Sequence, residues 1–138
     1  MHRWKLSAAA VLFSMSASLA ATYAADRDPY EGEWGGQCKG AQCWLEIDHK
    51  GGKNYLLSFI VADRMDAGKV LCQADIPMER GRLEFTPSQI YEDGLSGSYK
   101  TDNLVYVIPG FDYGSLDFFA EERCGKFQIP IEYEPIGE

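Results

Sequence analysis

Few residues in this 138-residue chain carry distinctive chemistry. The four cysteines are Cys38, Cys43, Cys72 and Cys124, and His49 is the only histidine after His2. A C-x4-C spacing is not the C-x-x-C of dithiol exchange, and no second close pair or histidine set completes a zinc site. The cysteines therefore read as structural disulfides. Cys38 and Cys43 flank four residues that a hairpin loop would turn, which favours a local bridge and leaves Cys72 to pair with Cys124; two other connectivities would tie this hairpin to later strands. Any Ser-His-Asp or Cys-His catalysis would have to run through His49 alone, and His49-Lys50-Gly51-Gly52 reads as a turn. Carboxylates are abundant, as in Glu31/Glu33, Asp63/Asp66, Glu92/Asp93 and Glu121/Glu122, but a glycosidase needs two facing across a cleft, and a barrel this small leaves little room for one. The loop acids Asp63, Asp66 and Asp112 do not follow the alternating oxygens of an EF-hand. The expectation is a non-enzymatic protein with no cofactor and no metal.

Recognition chemistry is concentrated in Pro109-Gly110-Phe111-Asp112-Tyr113-Gly114. Two aromatics and an acid between glycines make a loop that offers rigid, amphipathic contact area. The alternative use of Phe111 or Tyr113 is as a plug tucked under a barrel end. Phe111, Asp112 and Tyr113, with Asp93 and Asp102 from flanking turns, are the expected binding residues.

The elements that must position these groups are strands. Cys43 to Asp48 alternates, with Cys43, Leu45 and Ile47 on one face; Tyr55, Leu57, Phe59 and Val61 share a face of the next segment; Val70, Cys72, Ala74 and Ile76 share one in the third. Pro77 is expected to end or edge that strand, and Arg80-Gly81 to turn into Leu83 and Phe85. Asp93-Gly94 and Asp102-Asn103 read as turn dipeptides around Leu95 to Thr101 and Leu104 to Pro109. Ser115 to Glu121 and Lys126 to Tyr133 supply the last strands, the latter with Phe127, Ile129, Ile131 and Tyr133 on a shared face. Asp26 to Pro29 reads as a flexible lead-in. The predicted fold is all-β: a small antiparallel meander of eight or nine strands, a closed barrel favoured over a sandwich, stapled by disulfides.

The first two dozen residues set the compartment. His2-Arg3-Trp4-Lys5 is basic, Leu6 to Ala21 is apolar or small, and Ala20 to Ala25 offers a cleavage region, which together read as a signal peptide over 1–24. Residues 25–138 then form a single exported β domain, periplasmic or secreted, in which cysteines oxidise. Cleavage leaves 11 of the 13 basic residues against all 21 acidic ones, a net charge near −10. Such acidity disfavours nucleic acid and anionic membrane surfaces and favours a basic protein partner. No later apolar run approaches the roughly 20 residues of a membrane-spanning helix, so no membrane insertion of the mature chain is expected.

Residues 95–124 resemble the bacterial inhibitors of C-type lysozyme, which are small exported eight-stranded barrels. Ser96-Gly97-Ser98-Tyr99 matches the family's Ser-Gly-x-x-Tyr with one residue fewer; Tyr106-Val107-Ile108-Pro109-Gly110 follows its Tyr-Trp-x-Lys-Gly; Ser115-Leu116 and Cys124 follow in the same order. Val107 stands in place of the Trp, and Pro109 in place of the Lys that the family sets against the lysozyme active site. The resemblance implies that Cys72 takes the place of the family's earlier disulfide partner, while Pro109 removes the residue that carries inhibition in that family; a lysozyme or a protease is the basic partner expected of the acidic chain. The expected function is thus an exported, acidic binding protein of the bacterial envelope. The alternatives are a structural or assembly component of that envelope and a small-ligand carrier barrel, the latter because Gly32-Glu33-Trp34 resembles the Gly-x-Trp of lipocalins.

Overall fold

The computed structural model describes residues 28–100, 103–120 and 130–137. The expected signal segment, Asp102, Cys124, Phe127 and Ile129 lie outside the described residues. Eight strands follow one another: β1 (Gly32–Gly36), β2 (Ala41–Gly51), β3 (Asn54–Asp63), β4 (Val70–Thr86), β5 (Gln89–Tyr99), β6 (Asn103–Pro109), β7 (Leu116–Ala120) and β8 (Glu132–Pro135). Each pairs antiparallel with the next, and β8 returns to β1 from Trp34↔Pro135 to Gly36↔Tyr133, so the sheet is a closed barrel and not a sandwich.

The period-two pattern of apolar residues decides what lies inside. Cys43, Leu45 and Ile47 of β2, Tyr55, Leu57, Phe59 and Val61 of β3, and Val105 and Val107 of β6 are all buried. Each large side chain removed from water contributes about 1.5–3 kcal/mol, so a one-residue slip that turned such a set outward would be strongly opposed. Rings meet across the interior: Phe59 stacks on Phe118 of β7 with centroids 5.6 Å apart, and Phe118 meets Tyr133 of β8 edge-on at 5.9 Å. An eight-stranded barrel is just wide enough for its own side chains.

Several local expectations change. Pro77 lies inside the 17-residue β4 and is opposite Leu56 of β3. Its carbonyl faces Gly97 of β5. Its missing N–H is therefore on that side, one residue before the β4–β5 ladder begins at Met78↔Gly97. Arg80-Gly81 and Asp93-Gly94 are not turns; they lie within β4 and β5, with Gly81 opposite Gly94. Beyond this glycine pair the ladder shifts register twice, and the distal hairpin folds back on the barrel wall. Leu83 covers Gly94, and Phe85 meets Tyr106 of β6 edge-on at 4.8 Å. The turn comes at Pro87-Ser88. Similarly, His49 and Gly51 belong to β2. Ile131 does not share the inward face of Tyr133 but is exposed.

The Cys38–Cys43 disulfide is formed across the β1–β2 connection, with Cα atoms 5.9 Å apart. Cys72 carries no free thiol, and Cys124, its expected partner, lies outside the described residues.

Close strand approach leaves no room for a side chain at Gly97, where an added methyl group would meet the Pro77 carbonyl and Met78 Sδ. Gly97→Ala is expected to cost about 1–3 kcal/mol of stability. Urea unfolding of the oxidised protein checks this: the midpoint should fall with an unchanged slope.

Candidate functional site

Inward positions near one mouth of the barrel are polar where the rest are apolar. Arg80 continues the inward face of Ile76 and Met78 on β4, Asp93 that of Leu95 on β5, and Tyr55 that of Leu57 on β3. Their side chains converge. Arg80 donates from Nε and Nη2 to the two oxygens of Asp93, both at 2.9 Å, the forked geometry in which guanidinium and carboxylate match best. Arg80 Nη1 reaches the Tyr55 hydroxyl at 3.4 Å, and that hydroxyl donates to Asp28 Oδ2 at 2.7 Å. The guanidinium also lies 5.1 Å from the centroid of the Tyr30 ring, a cation–π contact.

The segment before β1 covers this mouth. Asp28 Oδ1 accepts from the backbone N–H groups of Tyr30 and Glu31 at 2.9 and 3.1 Å, a local turn typical of Asp. Asp28, expected in a flexible lead-in, is held by these bonds and by Tyr55. Tyr30 is fully buried, and its carbonyl accepts from Trp34 Nε1 at 2.9 Å. His49 stacks on Tyr55 with centroids 4.7 Å apart. Its Nε2 is 2.8 Å from the Gly52 carbonyl and its Nδ1 is 3.5 Å from Asp28 Oδ2.

The loop between β6 and β7 closes the same mouth, and here the two aromatics separate. Tyr113 turns inward: its hydroxyl donates to Asp93 Oδ2 at 2.5 Å, and its ring meets Tyr30 edge-on at 5.6 Å. Phe111 turns outward and is 97% exposed, with Asp112 exposed beside it. Thus plug and contact residue are different members of one loop. The backbone that achieves this has Asp112 at φ 53° and Tyr113 at φ 55°, two successive left-handed residues of which neither is glycine. Gly110 N–H to the Ser115 carbonyl at 2.8 Å and Gly114 N–H to the Phe111 carbonyl at 3.0 Å pin the turn.

Electrostatics moves Asp93, Arg80 and the three tyrosines of the mouth away from their ordinary values. Burial alone would push the Asp93 carboxyl up, but hydrogen bonds from Arg80 and Tyr113 and the guanidinium charge hold it below its ordinary value of 3.8. Hydrogen bonds to Asp93 keep Arg80 firmly charged. Burial and the nearby Asp93 charge push the Tyr30 hydroxyl far up, its oxygen lying toward that carboxylate without reaching hydrogen-bond geometry. Tyr113 is raised by its bond to Asp93, and Tyr55 by burial and by Asp28. Groups set this way hold one protonation state across the physiological range, which suits support rather than proton transfer.

Of the expected binding residues, the structure brings Asp93 and Tyr113 into the mouth, leaves Phe111 and Asp112 on its surface, and does not describe Asp102. Sequence reasoning missed Arg80, Tyr30, Tyr55 and Asp28. The signal for Arg80 was the alternation Cys72, Ala74, Ile76, Met78, which reaches an inward Arg80 if the strand is continued through Pro77. The fold and site define a closed eight-stranded β-barrel with one mouth plugged by tyrosines and bearing an outward phenylalanine. In comparisons with known proteins, the chain matches no family model, no curated protein sequence and no solved structure.

Asp93→Asn removes the charge that Arg80 and Tyr113 share and is expected to cost about 1–3 kcal/mol at pH 7. Because the folded carboxyl titrates below its unfolded value, its contribution is full above the unfolded value and disappears as pH falls through the lowered folded one. The difference between native and variant stability, measured by urea unfolding from pH 7 to pH 3, should therefore shrink on acidification; a constant difference contradicts this.

Proposed function

We propose that the protein is an exported, acidic, non-enzymatic binding protein of the bacterial envelope, which engages a basic protein through the Phe111 loop and acts as an inhibitor of a lysozyme or protease. The observation that carries this reading is Phe111 itself, 97% exposed on a loop whose next aromatic is anchored inside the barrel. An exposed aromatic held on a fixed backbone is the form of a binding hot spot, because little conformational freedom remains to be lost on association. Asp112 beside it and Glu31 at the same mouth add negative charge to the contact region, in keeping with the net acidity of the chain.

Three further features support binding over the alternatives. The barrel interior is occupied by its own rings, Phe59, Phe118 and Tyr133 among them, which speaks against a carried ligand. Outward positions of β2 and β4 such as Asp48, Gln73, Asp75 and Glu79 are exposed and polar, unlike the apolar outer band of a membrane barrel. Arg80, Asp93, Tyr30, Tyr55 and Tyr113 are each displaced further from neutral pH, which speaks against acid–base catalysis by these groups.

The test is a photo-crosslinking residue at position 111 of the oxidised protein, exposed to periplasmic extract and to a C-type lysozyme, with binding then measured for the captured partner. Phe111→Ala is expected to weaken binding by about 30-fold, as for a hot-spot aromatic, with no change in melting temperature. Association with the basic partner should slow as salt rises. Binding that survives Phe111→Ala, or an association rate indifferent to salt, overturns the proposal.

A further inference from the structure

We infer that Arg80 and Asp93 are positioning residues for the Phe111 loop: their ion pair inside the mouth fixes Tyr113, and Tyr113 in turn holds the left-handed backbone that turns Phe111 to solvent. This rests on the binding reading only for its use; the positioning itself is a property of the free protein. It assigns Asp93 to the support of the contact rather than to the partner.

The backbone of the loop needs support. A residue other than glycine in the left-handed region is disfavoured by about tenfold, and Asp tolerates it better than Tyr. Asp112 and Tyr113 adopt it in succession, at φ 53° and 55°. The three backbone hydrogen bonds within the loop close the turn but lie in its outer part, where Phe111, Asp112 and Gly114 are all exposed. The inward tether is the Tyr113 hydroxyl on Asp93 Oδ2.

That tether can position only if Asp93 is itself fixed. Arg80 takes both of its oxygens at 2.9 Å, which sets the plane of the carboxylate and hence the direction in which Oδ2 receives Tyr113. Arg80 is oriented in turn by the Tyr55 hydroxyl at 3.4 Å and by the face of Tyr30 at 5.1 Å. The order therefore runs from the walls, β3 and β4, through β5 to the loop, and each link is a directional contact. A lysine at position 80 would keep the charge but not the fork.

Amide hydrogen exchange on the oxidised protein tests this without any partner. Tyr113→Phe keeps the ring against Tyr30 and deletes only the hydroxyl. Exchange of the Tyr113 and Gly114 amides is expected to accelerate by about tenfold or more, the worth of a hydrogen bond to a charged group, while the β2–β3 ladder changes by less than about twofold. Arg80→Lys should accelerate the same loop amides although position 80 does not touch the loop backbone. If Tyr113→Phe leaves the loop amides unchanged, ring packing alone holds the loop and the inference fails. If exchange rises uniformly over the barrel, the pair contributes stability and not position, and the inference fails equally. If the loop loosens as expected but a captured partner binds Tyr113→Phe and Phe111→Ala as tightly as the native protein, positioning stands and the binding role of the loop falls.

Discussion

A guanidinium on the inward face of a closed β-barrel must meet a carboxylate or leave a charge uncompensated in a region of low dielectric. Arg80 meets Asp93, and much of the mouth is arranged around that encounter. Asp93 accepts from Arg80 and from Tyr113, the latter at the end of the β6–β7 loop. Arg80 touches Tyr55 and Tyr30, and through Tyr55 the network reaches Asp28 in the segment before β1. Three strands, one loop and the chain entering the barrel are thereby referred to a single ion pair. Both partners keep some exposure, with side chains 33% and 25% accessible, so the pair escapes the full desolvation penalty of a deeply buried one.

The division of labour in the loop follows from the chemistry of its two rings. Tyr113 has a polar tip and can be tucked into a mouth that offers a carboxylate; Phe111 has none, and inside the same mouth it would leave Asp93 with one donor fewer. The tyrosine is thus the natural anchor and the phenylalanine the residue left to solvent. An exposed apolar ring of this kind has no folding rationale, since it buries nothing in the free protein.

Much of the barrel was legible because its inward residues are apolar at every second position over short segments bounded by turn-forming residues. β2, β3, β6 and β7 follow directly from Cys43–Ile47, Tyr55–Val61, Leu104–Pro109 and Ser115–Glu121, and the local disulfide follows from a spacing that a hairpin satisfies. The long β4–β5 hairpin was not legible, because Pro77, Arg80-Gly81 and Asp93-Gly94 are turn-forming by local preference, and pairing with neighbouring strands overrides that preference. The site suffered most from this. Reading Arg80 and Asp93 as turn residues sets both in solvent, whereas inside strands their side chains meet at the mouth. Tyr30 and Asp28 carry no local signal at all; their roles exist only once β1 has closed the barrel.

That closure has a consequence for how the chain reaches its native state. Seven of the eight ladders join strands adjacent in sequence and can form from short-range encounters, while the β1–β8 ladder joins residues about a hundred positions apart. Lengthening a loop raises its closing entropy only slowly, but that entropy must be met before the reward of a distant pairing arrives. The meeting of Gly32–Gly36 with Glu132–Pro135 is therefore expected to come last, after the sequential hairpins have formed. Until that event the two outermost strands stand as open templates for any other extended chain, so the interval before closure is when the molecule is most exposed to pairing with the wrong neighbour.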